Sequence, residues 1–166
     1  LLKGVDGRNH SLNDLKGENG TLIFFICQHC PYVKAITNNL ARDTNELHTY
    51  GIRSIGINSN DAEQYPEDDF NHMVEISKTE QFSFPYLWDE DQSVAKRYDA
   101  LCTPDFFGFN KNLELQYRGR LDETKTVVVP NARRELFEAM VQISETDVGP
   151  RQQIASMGCS IKWKTS

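Results

Sequence analysis

One short stretch constrains this chain more than any other: a run of large apolar residues that ends at two cysteines. The run extends from Leu22 to Ile26, is rich in isoleucine and phenylalanine, and contains no polar residue. Such an unbroken run is typical of a strand that is covered on both faces, as in a parallel or mixed sheet with helices on each side. Cys27 and Cys30 follow directly, so the sequence predicts a buried strand that delivers two thiols to its carboxyl end, where sites of α/β proteins lie.

An amphipathic helix is predicted directly after the cysteines. Pro31 suits the first turn of a helix because proline lacks an N–H. The residues of the predicted buried stripe recur at helical spacing: Val33, Ile36, Leu40, Thr44 and Leu47. Both cysteines then lie at the amino terminus of the helix, where free N–H groups and the helix dipole stabilise a thiolate. We expect Cys27 to be the more exposed and more acidic thiol, with the cation of His29 beside it.

The Cys-x-x-Cys pair has three interpretations: a redox dithiol, two structural core cysteines, or half of a zinc site. A pair that ends an apolar strand and begins a helix favours the redox dithiol. A zinc site needs four ligands, usually from two such pairs. The two other cysteines, Cys102 and Cys159, are isolated in the sequence. We therefore predict no metal, and a metal-binding module that uses Cys27, Cys30 and Cys159 is the alternative.

Composition limits the class of protein. The chain has 166 residues, of which 39% are hydrophobic and 25% charged, and this predicts one soluble globular domain. A net charge of −6 argues against nucleic acid as a partner. No apolar run approaches the length of a membrane span, so we predict no membrane partner. Four cysteines without a disulfide framework indicate a reducing cytoplasm, although a leader removed from the sequence is compatible with the same pattern.

The remaining pattern predicts an α/β fold with a mixed central sheet. A second strand at residues 52–58 follows the long helix and makes a parallel strand–helix–strand unit. A strand at 84–89, a β-hairpin after Pro104 and a closing helix complete a sheet of about four or five strands. The acidic residues at positions 61, 63, 67, 68 and 69 are predicted to form a solvated surface matched to a helix dipole, not a metal site.

We divide the chain into a redox domain, residues 1–148, and a carboxyl-terminal tail, residues 149–166. The tail contains the apolar residues Met157, Ile161 and Trp163, and we expect these to dock it on the same domain. Docking would bring Cys159 near the dithiol as a third redox thiol. The alternative is that Cys159 is an incidental free cysteine.

Three segments carry a resemblance to a known family: residues 25–34, which hold the two cysteines, residues 102–107 and residues 158–163. They resemble a peroxiredoxin-like group in the alkyl-hydroperoxide-reductase and thiol-specific-antioxidant branch of the thioredoxin-like proteins. The resemblance covers nearly the whole chain. It implies a thioredoxin-like fold with an amino-terminal extension and a central insertion, a redox-active disulfide, antioxidant activity and no cofactor.

The resemblance also implies roles for individual residues. Cys27 matches the attacking cysteine and Cys30 the resolving one. Thr103 precedes Pro104, which matches the cis-proline that faces the disulfide and leaves backbone groups free to pair with an extended peptide. His29 stands where disulfide isomerases also have histidine. The buried strand lacks the proton-transfer aspartate of thioredoxin.

The predicted function is thiol–disulfide exchange through Cys27 and Cys30. The alternative from the same family is a thiol-dependent peroxidase. Against that alternative, the threonine and proline positions of the peroxiredoxin signature, aligned on Cys30, hold Cys27 and Ile23. The implied partners are a protein disulfide, or a small thiol or peroxide substrate, and a thiol system that donates electrons.

Overall fold

The computed structural model describes residues 1–165. The strands are β1 Leu2–Gly4, β2 Asn9–His10, β3 Gly20–Phe25, β4 Ile52–Asn58, β5 Tyr86–Trp88, β6 Cys102–Thr103, β7 Asp105–Phe109, β8 Leu115–Gly119 and β9 Cys159–Ser160. The helices are α1 Leu12–Leu15, α2 Pro31–His48, α3 Phe70–Thr79, α4 Ser93–Tyr98 and α5 Glu135–Thr146, with a 3-10 turn at Pro66–Asp68. The large sheet has seven strands in the order β2-β1-β5-β4-β3-β7-β8, and β6 and β9 form a second, two-stranded sheet.

The central strand β3 is buried along its whole length. It runs parallel to β4 and antiparallel to β7. Because successive side chains of a strand point to opposite faces, Leu22 and Phe24 pack with α2, α3 and α5 on one face. Ile23 and Phe25 pack with α1 and α4 on the other. The structure therefore confirms a mixed α/β sheet with helices on both faces.

The predicted strand count was too low. The five predicted strands, β3, β4, β5, β7 and β8, are present, but a hairpin of β1 and β2 extends the sheet beyond β5. These two added strands have only three and two residues. Strands so short contain too few positions to show the alternation by which a strand is recognised in a sequence. The return strand of the hairpin, β8, begins at Leu115, after a turn in which Leu113 adopts a positive φ of 60°.

The tail crosses the body of the protein. Strand β9 pairs antiparallel with β6, and the N–H of Asp61 donates a hydrogen bond of 2.8 Å to the carbonyl of Lys162. Ile161 is the apolar anchor, with 3% of its surface exposed, and its burial contributes roughly 1.5–3 kcal/mol. The other two predicted anchors are exposed, Met157 at 54% and Trp163 at 39%. We retain the division into residues 1–148 and a docked tail as a proposal.

Within the described residues, 1–165, we find no helix with the length and apolar character needed to cross a membrane.

Candidate functional site

The dithiol lies where β3 ends and α2 begins. The N–H of Ile26 donates a hydrogen bond of 2.9 Å to the carbonyl of Ile57, so the strand pairing continues to the residue before Cys27. Cys30 is the residue that caps α2, in an extended conformation (φ −77°, ψ 122°), and Pro31 is the first helical residue. The extended conformation is the one that a following proline favours. Local sequence therefore determines the position of both thiols.

The two thiols differ in what they face. Both are buried, Cys27 with 3% and Cys30 with 0% of its surface exposed. Cys27 lines a cleft of about 440 Å³, whose wall also includes Lys34, Phe82 and Tyr86. Cys27 is the more exposed thiol, as predicted, but by only a small margin.

Thr103 and Pro104 stand beside both sulfurs. The Thr103 hydroxyl lies 3.5 Å from Sγ of Cys27. The Cys30 thiol donates a hydrogen bond of 3.3 Å to the Thr103 carbonyl. The Thr103–Pro104 peptide bond is cis, as predicted. The expectation of a free backbone edge at this point was wrong, because Thr103 pairs with Cys159 of the tail.

The two thiols of the dithiol titrate as a coupled pair. A hydrogen bond shared with Cys27 lowers the pKa of Cys30, against the effect of its burial. The same hydrogen bond, burial and the charge of Asp68 all raise the pKa of Cys27 above its ordinary value. The two thiols therefore share the first negative charge of the pair, with the lower pKa at Cys30.

A buried carboxylate next to the dithiol is the main feature that the sequence prediction missed. Asp68 is completely buried and ends the 3-10 turn. Its Oδ1 accepts hydrogen bonds from the N–H groups of Gln28 at 2.8 Å and His29 at 3.3 Å. Its Oδ2 accepts one from Asn60 at 2.9 Å. Asp68 thus fixes the loop between the two cysteines.

The prediction of a solvated acidic surface was wrong for Asp68 and also for Asp61, which is 3% exposed. One sequence signal indicates the surroundings of Asp68. Asn58 is the last residue of β4, the parallel neighbour of β3, and Asn60 follows this strand. Parallel strands deliver the residues after their carboxyl ends to the same edge of a sheet. Polar residues there are therefore candidates for the surroundings of the dithiol.

His29 is paired with the carboxylate. Its Nδ1 contacts Oδ2 of Asp68, and its ring stacks on Tyr65 with centroids 5.6 Å apart. One ligand atom from each of Cys27, His29 and Asp68 lies within 4.8 Å of the other two. Thiolate, imidazole and carboxylate are all zinc ligands. Asp68 is the member of this set that the sequence pattern excluded as a ligand, because the acidic residues were predicted to form a solvated surface.

The tail brings a third sulfur to the dithiol. Cys159 is opposite Thr103 in the β6–β9 pair, packs against the core cluster that contains both active-site cysteines, and forms a hydrogen bond with Cys30. Burial, with that hydrogen bond, raises the pKa of Cys159 to about 11. A Cβ on Gly158 would lie 2.0 Å from the Thr103 carbonyl oxygen, so only glycine permits this approach. The docked tail thus places Cys159 beside Thr103 and the cluster that contains the dithiol.

Cys102 differs from Cys159 although both belong to the same two-stranded sheet. Its thiol donates a hydrogen bond of 3.5 Å to the Pro104 carbonyl. Burial raises the pKa of Cys102 to about 12. It therefore offers a matched control for experiments on Cys159.

A mixed sheet with a dithiol between a central strand and the next helix, opposite a cis-proline, defines a thioredoxin-like protein. More narrowly, a model of the AhpC/TSA family matches residues 1–118, and the chain belongs to this family. That match covers both dithiol cysteines and Pro104. It ends before the tail. Family membership supports a thiol-based redox function in general.

Solved structures agree with this assignment. An uncharacterized conserved protein from Geobacillus kaustophilus is 44% identical, with a TM-score of 0.94, over 99% of this chain and 88% of that one. A hypothetical protein from Sinorhizobium meliloti is 32% identical, also at 0.94, over 99% of this chain and 91% of that one. A secreted disulfide oxidoreductase from Mycobacterium tuberculosis shares the fold at 15% identity, with a TM-score of 0.64 over 84% of this chain and 92% of that one. Comparison with curated proteins gives no match.

Proposed function

We propose that this protein is a thiol–disulfide oxidoreductase that exchanges electrons through Cys27 and Cys30. One observation carries the proposal: the two thiols share a hydrogen bond, and only one of them, Cys27, lines an open cleft. When two thiols share one proton, the attacking thiol can pass that proton to its neighbour as it attacks an external disulfide. The cleft gives such a disulfide access to Cys27.

The first step is attack by Cys27. Its proton passes along the hydrogen bond to the Cys30 thiolate, and the Cys27 thiolate attacks one sulfur of the substrate disulfide. The substrate S–S bond breaks, a mixed disulfide forms on Cys27, and the departing thiolate takes the proton from Cys30. Cys30 thereby becomes a thiolate again.

The second step resolves the mixed disulfide. The Cys30 thiolate attacks the sulfur of Cys27, and the second half of the substrate leaves as a thiolate that takes a proton from water. The products are the Cys27–Cys30 disulfide and two substrate thiols. The Thr103 hydroxyl is placed to support Cys27 in both steps, and a thiol system in a reducing cytoplasm, as predicted from the cysteine content, would regenerate the dithiol.

Variants in which one cysteine is replaced by serine test this proposal, with oxidised glutathione and insulin as the disulfide substrates. Cys27→Ser should reduce exchange by on the order of 100-fold or more, because the attacking sulfur is lost. Cys30→Ser should accumulate a mixed disulfide on Cys27. Cys102→Ser is the matched control and should retain exchange. Full turnover by Cys30→Ser would show that the two roles are assigned wrongly.

The second candidate function is a thiol-dependent peroxidase. Membership of the AhpC/TSA family favours it, and so does the Thr103 hydroxyl 3.5 Å from Cys27. Cys27 would attack one peroxide oxygen, release an alcohol or water, and become a sulfenic acid, which Cys30 would convert to the disulfide with loss of water. Peroxide consumption, measured on the same sample with the same thiol donor, separates the two activities. Consumption much faster than disulfide exchange would favour the peroxidase.

A metal-binding role is the third candidate, because Cys27, His29 and Asp68 present three zinc ligands together. Metal analysis of protein purified without chelator tests it. One Zn²⁺ per chain that is lost in Asp68→Asn would support this role. A metal-free protein with active dithiol exchange would support the oxidoreductase.

A further inference from the structure

A third sulfur lies beside the dithiol. Cys159 is opposite Thr103 in the β6–β9 pair, and Sγ of Cys30 lies 3.3 Å from the carbonyl oxygen of the same Thr103. Cys159 also packs against the core cluster that contains Cys27 and Cys30, and Cys30 interacts with both of the other thiols. Cys30 is fully buried, whereas Cys159 is partly exposed. Cys27 faces the cleft, and Cys159 belongs to strand β9, which is part of the tail. The Cys30 sulfur can therefore be reached through either neighbour.

We propose that Cys159 is a third redox thiol, which exchanges with Cys30 and passes electrons from an external dithiol to the dithiol of the cleft. This inference rests on the proposed function. It gives the two outer sulfurs different tasks, since Cys27 meets the substrate in the cleft and Cys159 meets the electron donor on the tail side.

The exchange requires no reactant other than an external dithiol that donates electrons. After turnover, the Cys159 thiol loses its proton to water and its thiolate attacks Cys30 in the Cys27–Cys30 disulfide. The Cys30–Cys159 disulfide forms, and Cys27 leaves as a thiolate and takes up a proton.

The donor completes the cycle. One donor thiolate attacks the sulfur of Cys159, and Cys30 leaves as a thiolate. Its low pKa makes it a good leaving group. The second donor thiol then attacks the mixed disulfide and releases Cys159, which is protonated. The donor is oxidised to its disulfide, and Cys27 and Cys30 are reduced.

Strand β9 also determines which molecules reach the dithiol. Its pairing with β6 occupies the backbone edge at Thr103, where an extended substrate peptide would otherwise add as a strand. Gly158 allows the closest contact of this pairing. While β9 is docked, access through the cleft therefore favours small disulfides or peroxides over extended peptides.

Disulfide mapping in a Cys27→Ser background tests the contact without any need for activity. The reduced variant is treated with oxidised glutathione, and its disulfides are mapped by mass spectrometry. We expect the Cys30–Cys159 disulfide as the main product. Cys27→Ser/Cys102→Ser should give the same disulfide, and Cys27→Ser/Cys159→Ser should instead carry glutathione on Cys30 or leave it free. The proposal is overturned if Cys30 forms a disulfide with Cys102, or if Cys30 and Cys159 both remain free thiols.

Re-reduction kinetics test the relay itself. Oxidised wild type, Cys159→Ser and Cys102→Ser, each with a circular dichroism spectrum to verify the fold, are mixed with dithiothreitol. We expect re-reduction of Cys159→Ser to be slower by on the order of tenfold or more, and that of Cys102→Ser to be unchanged. Equal rates in all three overturn the relay. Failure of wild type to exchange with any disulfide would instead refute the proposed function, and a mapped Cys30–Cys159 disulfide would then be structural.

Discussion

The two sulfurs of the dithiol are three positions apart in the sequence but have opposite electrostatic surroundings. On the Cys27 side, the nearest charged group is the buried carboxylate of Asp68, which disfavours a second negative charge. On the Cys30 side, interactions with the Cys27 and Cys159 thiols, with Thr103 and with a backbone N–H lower the pKa of Cys30 against the effect of its burial. The comparison teaches that a helix amino terminus alone does not decide which thiol is ionised. Groups from distant parts of the chain decide it.

The largest expected effect is on the ionisation of Cys30. The ultraviolet absorbance of the reduced protein should show one thiolate that titrates below the ordinary pKa of a cysteine. Cys30→Ser should remove this transition, because the hydrogen-bond donors then have no thiolate to stabilise. Cys102→Ser should retain it. A transition that persists in Cys30→Ser would place the charge on Cys27 and contradict the comparison.

The reduction potential should depend on pH half as steeply as that of an ordinary dithiol. Because the pKa of Cys30 is lowered and that of Cys27 is raised, reduction should take up one proton for two electrons at any pH between the two pKa values. The potential should fall by about 30 mV per pH unit, instead of about 59 mV when two protons are taken up. Equilibration with a thiol buffer at several pH values measures the slope. A slope near 59 mV would show that both thiols are protonated.

Removal of the buried charge should make Cys27 more acidic. Asp68→Asn eliminates a negative charge that raises the pKa of Cys27, so this pKa should fall, by roughly one unit. The pH dependence of alkylation, measured in a Cys30→Ser background, isolates this thiol from its partner. Glu67→Gln is the control, because Glu67 is half exposed and lies 4.0 Å from His29. An unchanged midpoint in Asp68→Asn would mean that the carboxylate acts only on the loop conformation.

The smallest expected effect is that of the Thr103 hydroxyl. Its hydrogen bond lowers the pKa of Cys27, so Thr103→Val should raise this pKa by less than about one unit. Thr103→Ser keeps the hydroxyl and should behave like the parent protein in the same alkylation experiment. If the two variants behave alike, the hydroxyl has no influence on Cys27.

The parts of this structure that the sequence predicted are those with local causes. The apolar run of β3, the proline after Cys30 and the helical stripe of α2 all lie within one stretch, and their periods identify the elements directly. The burial of Asp68 has a nonlocal cause, since the N–H groups of Gln28 and His29 satisfy its charge. A run of acidic residues before a helix does not reveal that N–H groups from a distant part of the chain will bind one of its carboxylates. The tail shows the same limit, because its composition predicted docking through Met157, Ile161 and Trp163 but not that only Ile161 of these three would be buried.

The pairing of β9 with β6 has a consequence for the order of synthesis. Every strand of the large sheet, and both dithiol cysteines, precede residue 159 in the chain. Domains generally fold as units, and amino-terminal ones fold first during synthesis, so the proposed domain of residues 1–148 can form its sheet and its dithiol while the edge of β6 is still open. An open edge invites other strands to pair with it. During translation this protein therefore passes through a stage in which the dithiol is in place but β9 does not yet pair with β6. That stage ends only when the segment around Cys159 is made.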